Sequence, residues 1–207
     1  MIVGLGTGST AYFLVEALGK RVHEGLRMTG IPTSEKTSAH AKTLGIPLSN
    51  LDENSHIDIM IDGADEVAMG SLDLVKGLGG ALLREKIVAS ASARLVIIVD
   101  ETKLVDRLAS RVPVPVEVVP FGWQATQARI EELGARLSLR TTPAGEPFVT
   151  DGGHFILDSR FAPIDDPRLL DEKLNAIVGV VEHGLVLGMT SEGVIGTGSG
   201  VKVILRD

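Results

Sequence analysis

Glu85 stands between Arg84 and Lys86 in a segment whose apolar residues, Leu82, Leu83, Ile87, Val88 and Ala91, spread widely around a helical circumference. Either the three charges form the solvated strip of a core helix, or Glu85 is a carboxylate positioned in a largely buried helix, which suits general-base work. A second acidic group, Asp62-Gly63-Ala64-Asp65-Glu66, follows an apolar strand that ends at Ile61. In open α/β sheets, ligands bind beyond the carboxyl ends of strands, so these acids are well placed for chemistry. An Asx-type turn that caps a helix fits the same residues. A metal site is less well supported, because no histidine lies close in sequence. Asp100-Glu101-Thr102-Lys103 follows the apolar run 95–99, another carboxyl-end position. From there Lys103 can reach a phosphate as a point charge, or serve as an ordinary surface lysine.

Two glycine turns could hold an anion. Gly4-Leu5-Gly6-Thr7-Gly8-Ser9-Thr10 lies between a strand and a helix. Glycine lets the backbone approach a phosphate there, and the helix N-terminus offers unpaired N–H groups. A tight turn with a Ser/Thr N-cap fits equally well. The dinucleotide fingerprint is not met, because Ser9 or Thr10 stands where the third glycine belongs and no acidic strand end follows at the usual distance; a nicotinamide cofactor is not expected. Lys76-Gly77-Leu78-Gly79-Gly80 again places glycines before a helix, with the lysine ahead of them, unlike a Walker motif. Gly196-Thr197-Gly198-Ser199-Gly200 mimics the first turn, but strand-like residues follow it, so it reads as a hairpin turn. His23, His40, His56, His154 and His183 lie in unrelated segments without ligand spacing and receive no role.

The scaffold that must position these groups is an alternation of strands and helices. Residues 2–5 read as a strand, and Ala11, Leu14, Val15 and Leu18 mark one face of the helix after it. Strands are expected over 26–31, 56–62 (Ile57, Ile59 and Ile61 opposite Met60) and 95–99, with helices over 39–44 and 79–91. This rhythm predicts βαβ units and a parallel sheet. Near Val112 it changes: Pro113, Pro115 and Pro120 punctuate a β-branched stretch, which predicts an edge or boundary strand. A helix over 124–133, two short strands around Asp151-Gly152-Gly153, a helix over 167–176 and a strand over 178–181 complete a ferredoxin-like β-α-β-β-α-β order. Residues 193–205 return to the first sheet. The expected fold is α/β: a Rossmann-like, mostly parallel sheet (1–112 and 192–207) with a smaller ferredoxin-like α+β domain (113–191) inserted.

Composition supports this reading. Hydrophobic residues make up 44% of the 207-residue chain and aromatics 3%, so Val, Ile, Leu and Ala must build the core, as buried parallel strands require. The absence of cysteine excludes disulfides, thiolate catalysis and Cys-ligated zinc, and fits a reducing compartment. Net charge is −7, which argues against nucleic-acid binding and leaves an anionic substrate to local donors. The longest strongly apolar run, 95–99, is far below the roughly 20 residues of a membrane span. Met1 leads into Ile2-Val3-Gly4 without a basic leader, so a cytoplasmic location is expected.

Taken in order, Gly6-Thr7-Gly8-Ser9-Thr10, Asp62-Gly63-Ala64-Asp65-Glu66, Lys76-Gly77-Leu78-Gly79, Arg84-Glu85-Lys86 and Asp100-Glu101-Thr102-Lys103 resemble the motifs of type A ribose-5-phosphate isomerases. The resemblance continues through Pro113-Val114-Pro115-Val116-Glu117-Val118, Val149-Thr150-Asp151-Gly152-Gly153 and residues 179–185, so it covers essentially the whole chain. It implies interconversion of ribose 5-phosphate and ribulose 5-phosphate in the non-oxidative branch of the pentose phosphate pathway, without metal or organic cofactor, by a homodimer or higher homo-oligomer. Glu85 becomes the proton acceptor, helped by Asp62 and Lys76. Substrate binding falls to Thr7, Gly8, Ser9, Thr10, Asp62, Gly63, Ala64, Asp65, Lys76, Gly77, Leu78, Gly79 and Lys103. Two departures stand out: Leu78 replaces a glycine common in the family and is expected to point away from the sugar, and the family usually carries a helix ahead of the first strand. Rival readings are a non-catalytic sugar-phosphate sensor, which would not require Glu85 or Lys103, and an acyl-CoA-type transferase with a glutamate nucleophile.

Overall fold

The computed structural model describes residues 1–206. The chain begins with β1 (Ile2–Leu5), α1 (Ser9–His23), β2 (Thr29–Pro32), α2 (Glu35–Thr43) and β3 (Ile59–Asp62). β4 (Glu66–Ala68), β5 (Leu74–Val75), α3 (Leu82–Ser90), β6 (Leu95–Asp100), a 3-10 turn (Glu101–Lys103) and β7 (Leu104–Val105) follow. Then come β8 (Val114–Val118), α4 (Trp123–Glu131), β9 (Arg136–Leu139), β10 (Phe155–Arg160), α5 (Pro167–Asn175), β11 (Val180–His183) and β12 (Leu185–Val186). β13 (Glu192–Thr197) and β14 (Gly200–Leu205) close the chain. Contacts divide it into two units: Met1–Ala64, Arg84–Lys103 and Met189–Asp207 form the first, Asp65–Leu83 and Leu104–Gly188 the second.

In the first unit β2, β1, β3, β6 and β13 run parallel, and β14 pairs antiparallel with β13, in the order β14-β13-β6-β3-β1-β2. Both faces of the sheet are covered, which is why its strands are apolar rather than alternating. Val3 and Leu5 pack with Val15 of α1 and Ala41 of α2. On the opposite face α3 lies so close to β1 that a Cβ at Gly4 would stand 2.8 Å from Val88 Cγ1. The double cover also explains β3, where Met60 and Asp62 are fully buried while Ile59 and Ile61 are only half-buried. The hairpin expected at residues 196–200 is present, with Thr197 paired to Gly200. The helix expected from residue 79 begins at Leu82, because Gly77 (φ 105°) and Gly80 (φ 82°) are in conformations that no helix continues.

The second unit contains the expected ferredoxin-like arrangement: β8-α4-β9-β10-α5-β11 with the antiparallel sheet order β11-β8-β10-β9. β8 is not the edge or boundary strand that its prolines suggested. It lies between β11 and β10 and is buried along its whole length. The missing N–H of Pro115 is tolerated because the partner chain leaves the sheet at that point. Gly184 donates its N–H to the Pro115 carbonyl (2.8 Å) but gives its own carbonyl to the N–H of Lys76 (2.8 Å), so no acceptor waits for Pro115. The turn at Asp151-Gly152-Gly153 also differs from expectation. The partner of β10 is β9 at 136–139, and the turn belongs to the long connection between them.

A third sheet, β12-β5-β4-β7, was not foreseen; strands of two or three residues carry too little pattern to be read. Its Ala68, Val75, Val105 and Leu185 share one core with Val114, Val116 and Val118 of β8. That shared core draws residues 65–83 and 104–112 into the second unit, whereas the sequence-based boundaries grouped them with the first sheet.

Candidate active site

In the first unit, the chain leaves β1 toward β2 on one side and reaches β3 on the other, so the switch point of the sheet lies between β1 and β3. Doubly wound folds bind ligands beyond the strand ends at that point. Two predicted motifs meet there. Asp62, fully buried at the end of β3, accepts the N–H of Thr7 (3.2 Å) and that of Gly63 (2.7 Å) on Oδ1. Gly6 donates its N–H to the Ile61 carbonyl (3.0 Å), and a Cβ on it would fall 2.1 Å from Asp62 Oδ1. Glycine at position 6 is therefore a requirement of the Asp62 contact. A Cβ on Gly63 would come within 3.9 Å of Thr10 and 3.8 Å of the Ile98 carbonyl, so the turns after β1 and β3 adjoin the end of β6.

The Thr7 hydroxyl is engaged within the protein. Its Oγ1 lies 2.8 Å from Thr33 Oγ1, 2.8 Å from Ser34 Oγ and 3.0 Å from Thr37 Oγ1, and Thr37 in turn donates to the Gly6 carbonyl (3.1 Å). Thr33, Ser34 and Thr37 are buried. Sequence reasoning missed this hydroxyl cluster, although the signal was present: Thr33-Ser34 follows β2 at a carboxyl end, and Ser34 caps α2 by accepting the N–H of Thr37 (3.0 Å). Donors to a ligand are left on the N-terminal turn of α1. Gly8 there has φ 129°, no side chain caps the helix, and Ser9 is exposed with Thr10 half-exposed.

Glu85 is buried, at 4% exposure. It lies one turn before Val88 on α3, and residues at i and i+3 share a helix face. Val88 packs against β1 at Gly4, and α3 leads into the parallel strand β6, so Glu85 stands nearer the carboxyl ends of the strands than Val88 does. Arg84, by contrast, is half-exposed and pairs with Glu35 in the first turn of α2 (2.8 Å); this hydrogen bond holds the Glu35 carboxyl below its ordinary value. After β6, Lys103 is half-buried in the 3-10 turn. Thr102 organises that turn by donating its hydroxyl and its N–H to Asp100, and the hydroxyl chiefly keeps the Asp100 carboxyl below the usual range.

The first unit thus brings together Thr7, Gly8, Ser9, Thr10, Asp62, Gly63 and Ala64, and carries Glu85 and Lys103. Asp65, Lys76, Gly77, Leu78 and Gly79 belong to the second unit. There Asp65 Oδ2 accepts the N–H of Leu78 (2.9 Å), and Arg140 donates to the carbonyls of Gly77 (2.8 Å) and Leu78 (3.1 Å). Leu78 has no positive φ and is 39% exposed, so its side chain costs no backbone strain. Lys76 is buried at 5% exposure. Among the described residues no group of three or more His, Cys, Asp or Glu side chains could hold a metal ion, and no helix is long and apolar enough to cross a membrane.

Comparison with known proteins finds relatives along almost the whole chain. The model of the family described as ribose 5-phosphate isomerase A (phosphoriboisomerase A) matches residues 29–200. The chain is 58% identical to ribose-5-phosphate isomerase A of Gloeobacter violaceus, covering 99% of this chain and 88% of the relative. The corresponding protein of a Synechococcus species is 54% identical, with 99% and 89% covered. Among solved structures, ribose 5-phosphate isomerase A of Methanocaldococcus jannaschii superposes with a TM-score of 0.95 at 39% identity, covering 100% of this chain and 91% of that one. A D-ribose-5-phosphate isomerase in complex with phospho-erythronic acid gives a TM-score of 0.96 at 39% identity, with the same coverage.

Proposed function

We propose that this chain, which belongs to the ribose 5-phosphate isomerase A family, interconverts D-ribose 5-phosphate and D-ribulose 5-phosphate with Glu85 as proton carrier. In the open-chain sugar, the carboxylate takes the proton from C2, and the released electron pair forms the C1–C2 double bond while O1 gains negative charge or a proton. The enediol or enediolate then collapses: O2 gives up its proton, C2 becomes the carbonyl carbon, and Glu85 returns its proton to C1. Atoms and electrons balance without a metal or organic cofactor.

The observation that carries this reading is the burial of Glu85 on a helix seated against β1. Gly8, Ser9 and Thr10, at the N-terminus of α1, would bind the phosphate together with Lys103, and that remote grip would align C1 and C2 with the base. Thr7 and Asp62 set the path of the turn, and Asp62, with Gly63 and Ala64, is assigned to the sugar oxygens. The roles of Asp65, Lys76, Gly77, Leu78 and Gly79 rest on the family resemblance. In it, Lys76 offsets charge developing on a sugar oxygen, an effect commonly worth about 3 kcal/mol. A cytoplasmic homo-oligomer, in the simplest case a dimer, completes the proposal; light scattering on the purified protein tests the dimer.

The deciding experiment is a direct isomerisation assay in the presence of a chelator. The wild-type protein should convert ribose 5-phosphate. Glu85→Gln should fold and bind substrate yet turn over at least about 100-fold more slowly, the usual share of a general base. Near-normal turnover in that variant removes Glu85 from the mechanism, and no conversion by the folded wild type removes the reaction.

A further inference from the structure

The turn Lys76-Gly77-Leu78-Gly79-Gly80 contains three glycines, two of them at positive φ, and such a segment has much conformational freedom to lose. The ferredoxin-like part of the same unit supplies what restrains it. Arg140 follows β9 and Asp158 lies on β10; Nε of Arg140 donates to Asp158 Oδ2 (3.0 Å) and Nη2 donates to Oδ1, a bidentate pair. The pair is mostly buried, at 13% and 21% side-chain exposure. The remaining guanidinium nitrogen, Nη1, donates to the carbonyls of Gly77 and Leu78. Phe148 lies under the guanidinium, 6.0 Å from ring centroid to Cζ, and packs so tightly on Gly80 that a Cβ there would be 2.5 Å from its ring.

These contacts orient two peptide planes. A trans peptide points its carbonyl and its N–H in opposite directions. The plane between Gly77 and Leu78 is clamped from both sides, its carbonyl by Arg140 and its N–H by Asp65. The next plane has its Leu78 carbonyl on Arg140, so the N–H of Gly79 points the other way. Among the described residues that N–H meets no acceptor, and a Cβ on Gly79 would meet nothing within 4 Å.

We propose that Arg140, locked by Asp158, is a positioning residue for the isomerisation: it holds the lysine turn so that Lys76 and the N–H of Gly79 face the substrate oxygen. The inference rests on the reading above that this turn binds substrate. Lysine cannot replace Arg140, because one ammonium cannot hold a carboxylate bidentately and also reach two carbonyls.

The test is steady-state kinetics on Arg140→Ala, Arg140→Lys and Asp158→Asn, with Lys76→Met as reference and far-UV circular dichroism to establish folding. A turn displaced by about 1 Å loses on the order of 100-fold in rate. Arg140→Ala should therefore lose 10- to 100-fold in kcat with KM within about threefold, and millimolar guanidinium should restore part of it. Arg140→Lys should not recover kcat, and Asp158→Asn should fall between wild type and Arg140→Ala. A folded Arg140→Ala with kcat within twofold of wild type overturns the proposal. So does a loss that guanidinium leaves untouched while Asp158→Asn keeps full kcat, since that pattern marks a structural role only. If Lys76→Met itself retains wild-type kcat, the underlying assignment of the turn has failed instead.

Discussion

Replacing Gly6 by alanine tests how the first turn is built. The added methyl would stand 2.1 Å from Asp62 Oδ1, 2.3 Å from its Cγ and 2.7 Å from its backbone Cα. Asp62 cannot step aside, because its Cα is part of a paired strand and its Oδ1 already holds two N–H groups. To restore van der Waals contact, the turn must move by roughly 1 Å, and interiors packed at crystal-like density absorb such a shift poorly. That movement stretches the Thr7 N–H contact, now 3.2 Å, beyond hydrogen-bonding range. Losing a hydrogen bond to a charged group costs about 1.5–3 kcal/mol, and overpacking costs about 1–3 kcal/mol. The expected destabilisation is about 3–5 kcal/mol, a large part of the 5–15 kcal/mol typical of a domain. Urea unfolding followed by circular dichroism measures it, with Gly198→Ala as control. Gly198 has open space around it and no positive φ, so alanine there should stay within about 0.5 kcal/mol. In the folded fraction of Gly6→Ala, kcat/KM should fall about 100-fold through misplacement of the turn assigned to phosphate. An unfolding midpoint and kcat/KM both equal to wild type would refute the claim that Asp62 and Gly6 together shape the turn.

Lys103→Ala should chiefly raise KM, because the lysine is assigned to the phosphate and not to the reacting carbons; an unchanged KM in steady-state assays argues against phosphate contact. Leu78→Gly should lower stability by about 0.5–1 kcal/mol through chain entropy, read from urea midpoints, since Leu78 has no positive φ that glycine would relieve. Thr102→Val removes the hydroxyl that holds the Asp100 carboxyl below its ordinary value. A depressed carboxylate contributes stability that is complete above its unfolded value, about 3.9, and disappears as pH falls through the folded one. The wild type should therefore exceed Thr102→Val in unfolding midpoint at neutral pH, with the gap closing in acid; a gap that widens in acid contradicts the sign.

Much of this protein was legible along the chain because its physics is local. Parallel strands covered on both faces must be apolar throughout, so runs such as 95–99 announced themselves, and the switch from strand to helix at Gly6-Thr7-Gly8 could be read from residue types alone. The order of the acidic and glycine motifs also carries the family resemblance along the chain. What the tertiary structure decided depends on pairs far apart in sequence. Pro115 reads as an edge residue, yet β8 is central, because only the folded chain shows Gly184 turning away to pair with Lys76. Thr7 sits in a glycine turn whose local pattern is complete, yet the partners of its hydroxyl lie about thirty positions downstream. Arg140 and Asp158 carry no motif at all; they acquire meaning only where β9 and β10 bring their side chains to the carbonyls of the lysine turn. Residue type limits which partners a side chain can accept, but the choice among them is made by long-range packing, and no local pattern encodes it.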